Sequence, residues 1–302
     1  MRERRLRIDK NTILGLSAIL LWSTSIALVR SIAEKAGPFT GGASVYLVGA
    51  FLLGCHGFLA KRRVPNVWKL PRLYLLGCGS LFVVYTVALY LALGMATSRT
   101  QAIEVGMVNY LWPTFSILFS LVLLSKRGSV GLVPGTLLAL VGICLVLTQD
   151  GNVSWHSFLA NVSSEPAVYA LALLAAVSWA LYSNLARRWT DASQGGAVPW
   201  FMAATGIVLL CVRLLHPEES IVTTRLVLEV VCLGVTTALG YTFWDTAMRK
   251  GDIVLVMVFS YLTPFFSTAM GCLYLQIVPG ARLWIGCFFV VTGSILSWYS
   301  MQ

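Results

Sequence analysis

Charge is scarce in this 302-residue chain: 11% of the residues are Asp, Glu, Lys or Arg, while 58% are hydrophobic. An ordinary soluble domain carries about 25% charged residues. With a mean hydropathy of +0.80, too few charges remain to face water around so much apolar side chain, and a soluble enzyme or a disordered scaffold is excluded. There are seven cysteines and three histidines. The cysteines lie singly within apolar runs, with no C-x-x-C pair, so neither a disulfide framework nor a metal cluster is expected. No H-E-x-x-H, no G-x-x-x-x-G-K-[ST] and no credible Ser/His/Asp set occurs, so neither an enzyme nor an ATPase is expected, and no cofactor or metal is called for. Sustained apolar/polar alternation is also missing, which excludes a barrel of strands.

What the chain does have is long apolar runs. About 20 such residues span a bilayer as a helix, and the runs predict ten: roughly 11–31, 39–60, 71–94, 101–124, 129–148, 166–186, 197–215, 226–248, 253–275 and 281–300. The first follows a basic start and is read as a span rather than a cleaved leader, because it is long, lacks a small-x-small site and ends at Arg30. The net charge of +10 is a topology signal rather than a nucleic-acid footprint. With the N-terminus inside, the inner segments carry 16 of the 22 Lys and Arg and the outer ones 6, which places both termini in the cytoplasm. The longest connection, about 149–165, has no Lys or Arg and falls outside. Its two sequons, at Asn152 and Asn161, are taken as chance.

The two halves resemble each other. Tyr110-Leu-Trp-Pro113 in the fourth run matches Tyr261-Leu-Thr-Pro264 in the ninth at an offset of 151, and Gly135 and Gly142 match Gly286 and Gly293 at the same offset. Trp22 with Arg30 in the first run resembles Trp179 with Arg187 in the sixth, at an offset of 157. Residues 1–150 and 151–302 are therefore read as two five-helix repeats. An odd number of spans turns the second repeat over, and inverted repeats are a transporter architecture with a site near the midplane.

Lipid-facing surface should be apolar, so polar and polar-aromatic stripes mark the interior. At about 100° per residue, Gln101, Val105, Asn109, Trp112, Ser116 and Ser120 share one face of the fourth span, and Tyr110 falls opposite. Ser260 lies on the matching face of the ninth span. Other runs offer Trp22 and Ser25, then Phe82, Tyr85 and Thr86, then Trp179 and Tyr182, then Tyr241, Trp244 and Asp245. The candidate binding set is Trp22, Tyr85, Asn109, Trp112, Trp179, Tyr182, Tyr241, Trp244 and Ser260, an aromatic box suited to stacking on a ring. Pro113 and Pro264 each remove a backbone hydrogen bond in mid-span and are candidate hinges.

A carboxylate at mid-bilayer costs about 2.5–3.5 kcal/mol. Asp245 and Glu104 are the candidate proton sites. Asp245 is favoured to carry any pH dependence, although Arg249 and Lys250 follow closely enough to bring it near water. Glu104 and Glu229 fall near the outer surface, where they are expected to be solvated. His56 is expected to be a satisfied core residue.

The run Gln101-Ala-Ile-Glu-Val-Gly-Met-Val-Asn-Tyr-Leu-Trp-Pro113, with Leu21-Trp-Ser-Thr24 and Pro134-Gly135, resembles the drug/metabolite transporter superfamily, EamA-like, and within it the aromatic amino acid exporters. The resemblance implies an all-α polytopic protein of the bacterial inner membrane with ten helices in two inverted repeats. It also implies a central cavity and export of Phe, Tyr, Trp and related metabolites by alternating access. Trp22, Glu104, Asn109, Tyr110 and Trp112 are the matching residues. The expected partners are a small-molecule substrate and the lipid bilayer, with neither nucleic acid nor a protein partner required. Broad efflux of cationic drugs and a passive channel are the alternatives.

Overall fold

The computed structural model describes residues 9–59, 69–148, 155–191, 195–275 and 280–301, and all regular structure among them is helical. Asp9 caps the first helix, α1 (Lys10–Thr24), by accepting the Thr12 amide at 2.8 Å. The chain then bends at Ser25 into α2 (Ile26–Ala36), with 49° between the two pieces, so the expected first span is a broken one that runs on to Ala36. There follow α3 (Pro38–Leu59), a π-helical turn (Leu73–Cys78) that continues into α4 (Gly79–Met95), and α5 (Arg99–Asn109). Next come α6 (Trp112–Leu123) and α7 (Leu132–Leu147). A short helix, α8 (Trp155–Ser164), occupies most of the connection expected after residue 148.

The remaining helices are α9 (Pro166–Trp189), α10 (Val198–Leu215), α11 (Thr224–Lys250), α12 (Ile253–Phe259), a 3-10 turn (Ser260–Leu262), α13 (Thr263–Leu275) and α14 (Ala281–Ser300). Among the described residues, seven helical stretches are long and apolar enough to cross a membrane, and eight if the bent α1–α2 pair counts as one. Leu132–Leu147 and Ile253–Ser267 are apolar but shorter.

Both prolines interrupt their helices. Pro113 has no N–H, and the helix ahead of it opens: Tyr110 N–H bonds Gly106 O at 2.9 Å, whereas Leu111 N–H turns to Val108 O at 3.1 Å. Pro264 follows the 3-10 turn, where the Thr263 N–H and hydroxyl both bond the Ser260 carbonyl. A helical wheel therefore fails at residue 110. The joint turns Tyr110 toward the same cavity as Asn109, contrary to the expected opposite face.

The most central span is α9. In its apolar window 61% of the residues are buried, against 28–39% for the other six long stretches. It packs on α4, α6, α5 and α11, while α1 lies along α11 and α13, and α3 along α10 and α11. To one side α7 and α14 pair through glycines. A Cβ on Gly142 would meet Gly286 O at 2.6 Å, and one on Gly135 would meet Gly293 O at 3.0 Å. The pair therefore runs antiparallel at backbone contact, as small residues permit in membranes. His56, expected in the core, is exposed on α3.

Candidate functional site

A forked cavity enters the bundle from the end where α2 meets α3. One arm, of about 450 Å³, is lined by α1–α4 and α11, including Trp22, Tyr46, Tyr85, Thr86, Tyr90, Thr237 and Tyr241. The other, of about 300 Å³, reaches the broken helices and adds Gly106, Asn109, Tyr110, Trp112, Trp179, Thr263 and Ser267. The arms share Trp22, Tyr85, Leu89, Leu93 and Tyr241. Among the described residues, no charged side chain lines either arm.

An aromatic floor closes the cavity. Trp22 lies 5.8 Å from Trp179, 5.6 Å from Tyr241 and 5.3 Å from Trp244, between ring centroids. Trp112 meets Trp244 edge-on at 5.3 Å, and Tyr85 lies 4.7 Å from Trp179. Such edge and offset geometries match the quadrupoles of the rings and fix their positions. The Tyr46 hydroxyl lies 2.6 Å from that of Tyr241 and 3.2 Å from that of Thr86, so polar atoms in the wall are paired with one another.

Behind the floor is a buried knot of polar groups. Asp245 is 1% exposed. Its Oδ1 accepts the hydroxyls of Tyr74 and Tyr182, each at 3.0 Å, and its Oδ2 accepts Arg249 Nε at 2.7 Å. Tyr74 in turn accepts the Ala197 amide at 3.0 Å, which ties the approach to α10 into the knot. A Cβ on Gly196 would meet Asp245 and Arg249. Just beyond, Arg187 on α9 donates to the carbonyls of Met248 and Gly251 at 3.2 and 2.8 Å. Four segments thus converge and seal this end. Asp245 is not near water, as the neighbouring cations suggested; it is buried with one of them.

Six of the nine candidate binding residues line the cavity: Trp22, Tyr85, Asn109, Trp112, Trp179 and Tyr241. Tyr182 and Trp244 lie in the layer behind, Tyr182 on Asp245 and Trp244 with its indole N–H on the Ser183 hydroxyl at 3.1 Å. Ser260 is fully buried, with its hydroxyl on the Met257 carbonyl.

Glu104 is also buried, not solvated as expected. It accepts the Tyr169 hydroxyl and the Asn161 amide, the latter at 3.0 Å, and lines neither arm. Glu229 has an 11%-exposed side chain and holds Lys35 at 2.8 Å and Arg225 at 2.9 Å, tying α2 to α11. Sequence reasoning missed Tyr46, Tyr74, Tyr90 and Thr237. Two of these carried a signal: Tyr90 and Thr86 precede Tyr241 and Thr237 by the same 151 residues that separate the Tyr-Leu-x-Pro cores, and all four line the cavity.

The EamA-like transporter family matches this chain twice, over residues 10–148 and 167–299. An aromatic amino acid exporter, YddG, of Escherichia coli (strain K12) is 36% identical over 296 residues, covering 97% of this chain and 98% of the relative. The like-named protein of Salmonella typhimurium is 34% identical over 97% and 98%, and that of Ancylobacter novellus 30% identical over 95% and 96%. A solved crystal structure 29% identical superposes with a TM-score of 0.79 over 95% of this chain and 96% of that one. Apolar helices around a polar-aromatic cavity, with two family matches covering nearly the whole length, leave one assignment: the chain belongs to the EamA-like transporter family.

Proposed function

We propose that this protein exports aromatic amino acids and related small metabolites across the bacterial inner membrane by alternating access. The observation that carries this reading is the uncharged cavity walled by Trp22, Trp112, Trp179, Tyr85 and Tyr241. Its volume is within the range of small-molecule sites. An aromatic side chain buries roughly 150–250 Å², which at ~25 cal/mol/Å² contributes about 4–6 kcal/mol. That is enough to offset partial desolvation of a zwitterion that finds neutral polar partners such as Asn109. The names of the relatives agree with this substrate class.

Ten spans in two inverted repeats, over 1–150 and 151–302, fit the two family matches. They also fit seven long apolar stretches, one bent pair and two shorter apolar helices. The α7–α14 contacts agree with inversion. An axis that exchanges Gly135 with Gly286 and Gly142 with Gly293 carries the Gly135–Gly293 contact onto Gly286–Gly142, the other contact observed. With both termini cytoplasmic, the cavity opens outward and the Asp245 knot closes the cytoplasmic side. Tyr182 and Trp244, one layer deeper, then come to the substrate path when the inner end opens, with Pro113 and Pro264 as hinges. Asp245 reads as the anchor of the inner seal, which leaves Glu104, with no ion-pair partner among the described residues, as the other candidate proton site.

Purified protein in vesicles loaded with labelled tryptophan tests this. Saturable efflux is expected, inhibited by phenylalanine and tyrosine and not by leucine. Equal inhibition by permanently charged drug cations such as tetraphenylphosphonium, which carry no ammonium N–H, points instead to general drug efflux, and flux that never saturates points to a channel.

A further inference from the structure

Resting on the exporter reading, we infer that the cavity recognises the ring and the ammonium group of its substrate and makes little use of the carboxylate. Aromatic monoamines such as tryptamine and tyramine are therefore ligands of the same site.

An amino-acid carboxylate is commonly held by an Arg or Lys, or by free backbone amides at a helix start. Among the described residues, neither arm is lined by a cation. The two cations nearest the mouth along α2, Arg30 and Lys35, are engaged by Glu34 and Glu229 at 2.7 and 2.8 Å. The cation deeper in the bundle, Arg249, is paired with Asp245 behind the aromatic floor. Two helix starts do reach the narrow arm, at Trp112 and Thr263. However, Pro113 and Pro264 bring no N–H there. The adjoining amides of Tyr110, Leu111 and Thr263 already bond Gly106, Val108 and Ser260 carbonyls. Among the described residues an anion would meet no fixed positive charge, only neutral donors such as the Ser267 hydroxyl and the Asn109 amide.

A cationic ammonium finds the opposite. Trp22, Trp112, Trp179 and Tyr85 line the narrow arm, and indole and phenol faces attract cations most when desolvated. Asn109 lines the same arm, and its buried amide oxygen accepts no hydrogen bond from the described residues. A buried acceptor of this kind is stabilised by a donor brought in by a ligand. The aromatic rings and the Asn109 oxygen thus suit the ring and ammonium of a substrate, while the hydroxyls of the arm, Ser267 among them, offer a carboxylate neutral donors alone.

The test is displacement of labelled tryptophan from the purified, detergent-solubilised transporter, which avoids the free permeation of amines through vesicles. Tryptamine is expected to displace within about threefold of unlabelled tryptophan, and indole-3-propionate at least thirtyfold more weakly. Asn109→Leu is expected to weaken tryptophan and tryptamine alike, by about tenfold. Indole-3-propionate displacing as well as tryptophan, or tryptamine failing to displace, overturns the inference while leaving the exporter reading intact. Labelled tryptophan that does not bind at all overturns the exporter reading itself.

Discussion

At the scale of single residues, the first turn of α1 shows how one carboxylate is used. Asp9 accepts both the amide and the hydroxyl of Thr12, at 2.8 and 2.6 Å, and the Thr12 hydroxyl accepts the Asp252 amide at 2.9 Å. The hydroxyl and amide of Thr12 hold the Asp9 carboxyl below the usual carboxylate range. Its contribution is therefore present above the unfolded value, near 4, and is lost as pH falls through the lower folded value. Asp9→Ala is expected to cost about 1 kcal/mol, the usual loss for an N-cap. The gap in melting temperature between wild type and Asp9→Ala should be constant from pH 5 to 7 and shrink below pH 4; a gap that widens on acidification would contradict the assignment. In the cavity, Trp179 touches Trp22, Tyr85, Trp112 and Trp244 at once. Trp179→Ala is expected to weaken tryptophan binding at least about tenfold, or 1.4 kcal/mol. Trp179→Phe should recover most of it, which separates loss of a stacking face from collapse of the fold.

At the scale of helices, the sequence was most legible where one element answers to one physical requirement. The apolar runs locate the long helices to within a few residues, because the bilayer sets their length. The face of the fourth span was legible on both sides of the joint and misread at it. Gln101, Val105, Ser116 and Ser120 are buried as the wheel places them, but ahead of Pro113 the turn opens and brings Tyr110 to the cavity. Tyr46 was not legible, because α3 otherwise reads as apolar all round, and only its neighbours Thr86 and Tyr241 give its hydroxyl a purpose. Glu104 was misplaced for a similar reason: α8, which brings Asn161 onto it, lies in a stretch too polar to read as a span. The glycines of α7 and α14 were legible as a repeat, though not as mutual partners. Since a Cβ on Gly142 would meet the Gly286 carbonyl and the Val290 amide at 2.6 Å, Gly142→Val should force the helices apart. Overpacking of this kind costs about 1–3 kcal/mol. Thermal unfolding in detergent should register that loss while Gly106→Ala, at a glycine with open space around it, leaves the melting temperature within about a degree.

At the scale of the whole molecule, the two ends of the bundle are held by different means. The open end is braced around the cavity mouth by ion pairs on its rim: Lys35 with Glu229 joins α2 to α11, and Glu218 accepts the amides of Phe39 and Thr40 at the start of α3, each at 2.8 Å. The sealed end is held across the bundle by Asp245, which gathers Tyr74, Tyr182 and Arg249. The repeat offset of 151 sets Gly94 and Ser98 opposite Asp245 and Arg249, so no such pair is available at the matching place in the other half. On the exporter reading, alternating access between these ends is an unequal contest, with the buried pair favouring closure of the sealed end. Removing one partner of a buried pair costs about 3–5 kcal/mol, enough to invert a population that differs by a few kcal/mol. In a background without the native cysteines, Thr237→Cys in the cavity wall should react readily with an impermeant maleimide added outside. Adding Arg249→Ala should slow that reaction severalfold as carriers move to the inward-open form, and Arg249→Lys should restore part of it. An Arg249→Ala protein that folds, binds tryptophan and labels at the wild-type rate would show that the knot is a packing feature alone and that the bias between the two ends is set elsewhere.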